Sequence, residues 1–414
     1  MKKRVSIVLT VLCLAVISVF ALVACGEEAT GPNVQNDGLS YELYGDGYAV
    51  TRYFGMNNEV EIPATYGGKN VIKVADKAFY QESRITSVKL PETIVSIGNE
   101  AFYACQGLEK INIPENVTSI GDKAFMLCEK IAGIDFPDKI TYIGSDAFNS
   151  CRGIINITLP DSLTRIESGT FVNCCRLRDL KIPNSVTEIG SHAFESCTGL
   201  MSVTIPASIT GIGEYAFGWC YRLVEVRNLS AIEIDKGSEN GGCVAYYAND
   251  VYVDETTPSK ISENNGFVIY NETDGTKSLI NYIGSEEKPI IQPEITGIRK
   301  YAFYQVEGVT EIEIPDRMTR IEEFTFAGCC DLRKVTIPDS VTDIDMDAFM
   351  GCVEMKNITI PESVTIISSG VFAGCNNLET IYCEAESRPK GWDGVWDSFC
   401  PAEVVWNYNG GAAV

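Results

Sequence analysis

The chain has 414 residues, 45% of them hydrophobic, and a formal net charge of −23. That apolar content supports a folded protein and excludes a disordered one. The acidity excludes the basic footprint of a nucleic-acid binder and disfavours docking on anionic lipid.

Lys2, Lys3 and Arg4 precede an apolar run over residues 5–24 that ends in Leu22-Val23-Ala24-Cys25. Basic, apolar and small-residue regions in that order predict a signal peptide over 1–24. The run is also long enough to span a bilayer, so an uncleaved anchor helix is the alternative. Leu-x-Ala-Cys resembles the bacterial lipobox, which implies that Cys25 becomes the acylated first residue of the mature chain. Two or three acyl chains on one cysteine suffice for stable anchoring. Residues 25–38 then read as a polar tether, and everything after it is expected outside the cytoplasm.

Residues 39–63 read as a cap. Tyr41–Tyr44 and Tyr48–Thr51 flank Gly45-Asp46-Gly47, a hairpin turn signal. A repeat array must cover its first exposed apolar layer, and a hairpin does so.

A 23-residue step then takes over. Phe79, Phe102, Phe125, Phe148, Phe171, Phe194 and Phe217 are evenly spaced, and the step resumes at Phe303, Phe326, Phe349 and Phe372. Self-similarity at this period predicts a solenoid. In the unit Leu108–Cys128, Lys110–Ile113 alternates as a strand with Ile111 and Ile113 inward. Pro114 ends it, Val117–Ile120 forms a second extended piece, and Asp122–Cys128 is expected to make one or two helical turns.

Three residues beyond most of these rings stands a cysteine, from Cys105 to Cys375, nine in all among sixteen. Equivalent side chains one layer apart rarely meet disulfide geometry, so these read as buried, unpaired thiols. Cys383 and Cys400 lie outside the ladder, and whether they form a bridge is left open.

Residues 39–226 thus form a capped first array. Residues 227–294 break the step, since Phe217 and Phe303 lie 86 residues apart. Four short strands are expected there (Val244–Tyr247, Val251–Val253, Gly266–Tyr270 and Leu279–Tyr282), making an island of two hairpins. A second array covers 295–381, and a Trp-rich tail over 382–414 reads as a closing cap around Trp392, Trp396 and Trp406.

The unit L-x-x-[VI]-x-[IL]-P-[DE]-x-[VI]-T-x-I-G-x-x-A-F-x-x-C resembles the leucine-rich repeat of BspA-like bacterial surface proteins. The glycine position departs from it at Glu167, Glu322, Asp345 and Ser368. The resemblance implies a leucine-rich repeat solenoid, β-rich with short helical turns, in two arrays interrupted by a β-hairpin island. It further implies a surface-exposed adhesion or recognition role and fixes no ligand.

Residues for chemistry are scarce. His192 is the single histidine and occupies a variable position also filled by Lys123 and Tyr215. No HExxH, metal-spaced Cys/His pair or phosphate loop occurs. Asp343-x-Asp345-x-Asp347 with Glu354 mimics a calcium loop, but Ala348 replaces its glycine and Phe349 belongs to the ring column. No catalytic residue, cofactor or metal is therefore assigned. The outward strand positions form the candidate ligand face: Lys110, Asn112, Asp135, Asn156, Thr158, Asp179, Lys181, Glu225 and Arg227. Their mixed charge, without an aromatic stripe, suits a protein better than a flat sugar. The expectation is a lipid-anchored, non-enzymatic cell-surface protein that binds an extracellular protein or cell-surface glycan through its repeat face or island. It touches membrane only through its lipid. The alternatives are a carbohydrate-active or peptidase activity in the island, or a purely structural envelope protein.

Overall fold

A computed structural model describes residues 38–409. The leader, Cys25 and the tether up to residue 37 lie outside the described residues.

Each repeat is one coil, and each coil hydrogen-bonds to the coils before and after it. Lys110–Ile111 lies parallel to Ser87–Lys89, pairing Ser87 with Lys110 and Val88 with Ile111. Pro114, unable to donate, closes the following turn by accepting from Val117 N at 3.0 Å. Ser119–Ile120 forms a second row, parallel to Ser96–Ile97 on one side and Tyr142–Ile143 on the other.

The segment expected to be helical is not. Residues 122–127 form consecutive turns, and no helix occurs among the described residues. Lys123 and Leu127 take the left-handed conformation, with φ of 55° and 64°. A right-handed helix cannot pass through such residues. The N–H groups alternate instead between the coil itself and its neighbour. Met126 N bonds Lys123 O at 3.2 Å and Cys128 N bonds Phe125 O at 3.0 Å, while Phe125 N reaches Ala147 O at 2.8 Å and Leu127 N reaches Asn149 O at 2.8 Å. Half of the donors that would wind a helix are thus spent on stacking.

Stacking brings the rings into register. Phe102, Phe125 and Phe148 lie 5.1 and 5.2 Å apart with planes 7° from parallel. All the phenylalanines of both columns are buried. Each contributes roughly 1.5–3 kcal/mol by leaving water. The cysteine ladder runs alongside as free thiols, each donating to the preceding coil's Phe carbonyl, as Cys128 does to Phe102 O at 3.1 Å. Tyr53 of the opening hairpin, Leu39–Tyr44 with Gly47–Tyr53, covers the first ring at 5.5 Å from Phe79. Trp396 covers the last, edge-on to Phe372 at 6.1 Å. Cys383 and Cys400 are free.

The island also differs from expectation. Val244–Tyr247 lies in turns, after Gly241 and Gly242 bend the chain with φ of 63° and 67°. The first array gains one longer coil, closed where Glu225–Asn228 pairs in parallel with Asp250–Tyr252. Next comes a three-stranded antiparallel meander, Ile261–Asn264, Phe267–Asn271 and Lys277–Tyr282. Its last strand pairs in parallel with Gly297–Ile298 of the second array. Phe267, Ile269 and Leu279 enter the second array's core, whereas Val268, Tyr270 and Ile280 pack against Val224 and Met201 of the first. Strands buried on both faces read as continuous apolar runs, as the two inner strands do, whereas Ile261–Asn264 is exposed along most of its length.

Candidate recognition face

The first strands of successive coils form one exposed face, and its ladder is interrupted. Ser87–Lys89 pairs with Lys110–Ile111, but the next coil contributes only a bridge from Gly133 to Asn156. Pairing resumes where Asn156–Thr158 meets Asp179–Lys181. Gly133 presents no side chain, and a Cβ there would meet open space. A hollow of about 480 Å³ opens beside it, lined by Asp135, Asp138, Asn156, Thr158, Asp161 and Lys181 among others. A second of about 520 Å³ lies on the other side of Gly133 and includes Lys110 and Asn112.

Four candidate residues therefore meet in one groove, namely Asp135, Asn156, Thr158 and Lys181, and Lys110 stands exposed beside it. Asp179 faces Asn156 across the ladder. With its amide turned to suit its neighbours, Asn156 donates to Asp179 Oδ2 at 2.8 Å.

Three candidates serve the fold instead. Asn112 accepts from Leu90 N at 2.8 Å and donates to Leu90 O at 2.9 Å, replacing ladder bonds with its own amide. Glu225 is only 4% exposed and accepts from Ser259 Oγ at 2.6 Å and Lys260 N at 2.5 Å. Arg227 bonds the carbonyls of Asp254 and Thr257 and lies 5.2 Å from the Tyr252 ring. The segment leading into the meander, residues 254–260, folds back over the end of the first array, so the outward position becomes an inward one there.

Sequence reasoning missed a third hollow, about 710 Å³, at the start of the second array. Lys288, Pro289 and Ile290 line it with Glu311, Glu313 and Lys334. Pro289 was the available signal, because a proline cannot donate to a ladder.

His192 is engaged rather than poised. Its Nδ1 lies 2.5 Å from Glu195 Oε2 and its ring stacks on Tyr215 at 5.8 Å. In the calcium-loop mimic, Asp345 is held by Arg320 through bonds of 2.6 and 2.7 Å. No group of three or more metal-ligating side chains occurs among the described residues, nor any helix long and apolar enough to cross a membrane.

Parallel coils, a buried ring column and an exposed strand face define a leucine-rich repeat solenoid. The sequence matches the BspA type leucine rich repeat region at residues 72–201, 166–238 and 285–388, and the chain belongs to that family. Among solved structures it is similar to a leucine rich cell surface protein from Faecalibacterium prausnitzii A2-165, at 28% identity and TM-score 0.44, covering 84% of this chain and 93% of that one. It is also similar to the T. pallidum leucine rich repeat protein, at 34% identity and TM-score 0.42, over 45% of this chain and 88% of the other. A third is the pneumococcal vaccine antigen PcpA, at 21% identity and TM-score 0.34, covering 90% and 87%. No curated protein matches the sequence.

Proposed function

We propose that this chain is a non-catalytic recognition protein, anchored at the cell surface through an acylated Cys25, that adheres to an extracellular protein through its strand face. The observation that carries this reading is the groove beside Gly133. Asp135, Thr158 and Lys181 converge on it from three coils; Thr158 and Lys181 pair through their backbones in the ladder, while the three side chains make no hydrogen bond or ion pair among the described residues. Opposite charges on Asp135 and Lys181, two coil steps apart, would recognise complementary charge and set orientation more than raw affinity. The leader, ending in Leu22-Val23-Ala24-Cys25, supports delivery to the outer side of a membrane.

Binding of the chain from Cys25 onward to matrix-protein and glycan arrays tests the proposal, with Asp135→Lys/Lys181→Glu beside the wild type. Capture of a protein by the wild type and at least tenfold weaker capture by the double variant is the expected result. Equal capture moves the site off this groove, and glycan capture alone replaces the partner class. Radioactive palmitate should label the expressed wild type and spare Cys25→Ala. Equal labelling of both removes the lipid anchor.

A further inference from the structure

We propose that the meander between the arrays is a second leading cap, so that the chain is two capped solenoids in tandem and residues 261–409 unfold as a unit of their own. The two caps match atom for atom where it matters. Gly38 and Gly266 have φ of 72° and 77°, and a Cβ on either would lie 2.5 Å from the Cα of Gly55 or Gly284 respectively. Phe54 N donates to Gly38 O at 2.8 Å, and Ile283 N to Gly266 O at 2.7 Å. The register slips between Ser40 and Tyr41 in one hairpin and between Val268 and Ile269 in the other. Tyr53 and Tyr282 each cover the first ring of their array, at 5.5 Å from Phe79 and 5.7 Å from Phe303. Each hydroxyl donates to a carbonyl four residues on, Asn57 or Glu286. Val50 pairs with Val74 as Leu279 pairs with Ile298.

The turns and the added strand Ile261–Asn264 differ, and so do the outer faces. Ser40, Glu42 and Arg52 meet solvent, whereas their counterparts Val268, Tyr270 and Asn281 are buried. The cap pattern is thus kept where it seals an array and rewritten where it meets the coil behind it. A leading cap is what the first layer of a solenoid needs, and coils inside an array have none.

The ring column ends at Phe217 and restarts at Tyr282, leaving two separate apolar cores. Between them lie a small third apolar cluster, Val224 with Val268, Tyr270 and Ile280, the stacked rings of Tyr221 and Tyr301 at 3.9 Å, and a polar latch. Arg222, buried, donates to the carbonyls of Tyr301 at 3.0 Å, Tyr304 at 2.9 Å and Thr198 at 3.3 Å. Arg299 donates to Asn249 Oδ1 at 2.6 Å.

Native-state hydrogen exchange on the full chain, read by peptide mass spectrometry, tests this. Phe148→Ala should speed exchange through the first array on the order of a hundredfold, and the coils of Phe326, Phe349 and Phe372 should stay within about twofold of wild type. Phe349→Ala should give the reverse pattern. Arg222→Met should leave protection inside each array and move the two arrays' unfolding transitions further apart. Should Phe148→Ala fail to fold, Ile157→Val poses the same question at lower cost. Equal loss of protection on both sides of residue 261 overturns the proposal. So does a gradient that decays coil by coil across it, because an uninterrupted solenoid would give one.

Discussion

The carbonyl of Phe125 accepts twice, from Cys128 N at 3.0 Å and from Cys151 Sγ at 3.1 Å. The thiol is small enough for the core and supplies the second donor. Cys151→Ala removes that donor and leaves a small void, so it should cost about 1–2 kcal/mol in urea unfolding. Burial pushes the Cys329 thiol up to about 12 and the Cys151 thiol up as well, so these two hold their protons at neutral pH. Iodoacetamide reacts with thiolates. In the folded chain it should therefore modify exposed Cys330 and reach the ladder only after denaturant is added, as peptide mapping would show. At the junction, burial raises Asp250, but bonds from Lys260 at 2.7 Å and from Tyr270 outweigh it and hold the carboxyl below its ordinary value. A depressed folded value stabilises fully above the unfolded value of about 3.9 and loses that effect as pH falls through the folded one. Wild type should accordingly lose more stability than Asp250→Asn between about pH 5 and pH 2. The candidate face was legible at this scale only in part. Lys110 and Asn112 stand at equivalent outward alternations, and only geometry shows that the Asn112 amide is consumed by Leu90.

The coil's turn segment shows why local sequence misleads. Ala-Phe-x-x-Cys has helical spacing, and Lys123, Leu127 and Ala104 are good helix formers. They are nevertheless left-handed, because every second N–H is drawn to the next coil. The second array places glycine at the same late position, with Gly328, Gly351 and Gly374 at φ of 73°, 72° and 74°. Gly351→Ala meets nothing closer than 3.7 Å, so its cost is backbone strain alone, about 1–2 kcal/mol. Ala104→Gly should be nearly neutral or stabilise by up to about 1 kcal/mol, a difference that paired urea melts would register. The strands were easier to foresee. Alternation about Ile111 and a proline stop locate them without knowledge of the neighbours, and apolar runs locate two of the meander's three strands, Phe267–Asn271 and Lys277–Tyr282, whereas its exposed first strand, Ile261–Asn264, carries neither signal.

At the scale of the molecule, the ring column is the part the sequence announces most clearly, since a fixed step admits one stacking register. Phe148, between Phe125 and Phe171 at 5.2 and 5.5 Å, has a ring on each side. Phe148→Ala should cost about 3–5 kcal/mol and lower the first thermal transition. What the period conceals is where it is broken. Gly133 and Pro289 open the face without disturbing the rings, so the hollows follow from side chains that are missing or cannot donate.

Because a coil bonds only to the coil before and the coil after, it can be lost or copied whole and the flanking layers will close on each other. Deleting or inserting one complete 23-residue coil should therefore change the length of the exposed face while leaving the ring column continuous.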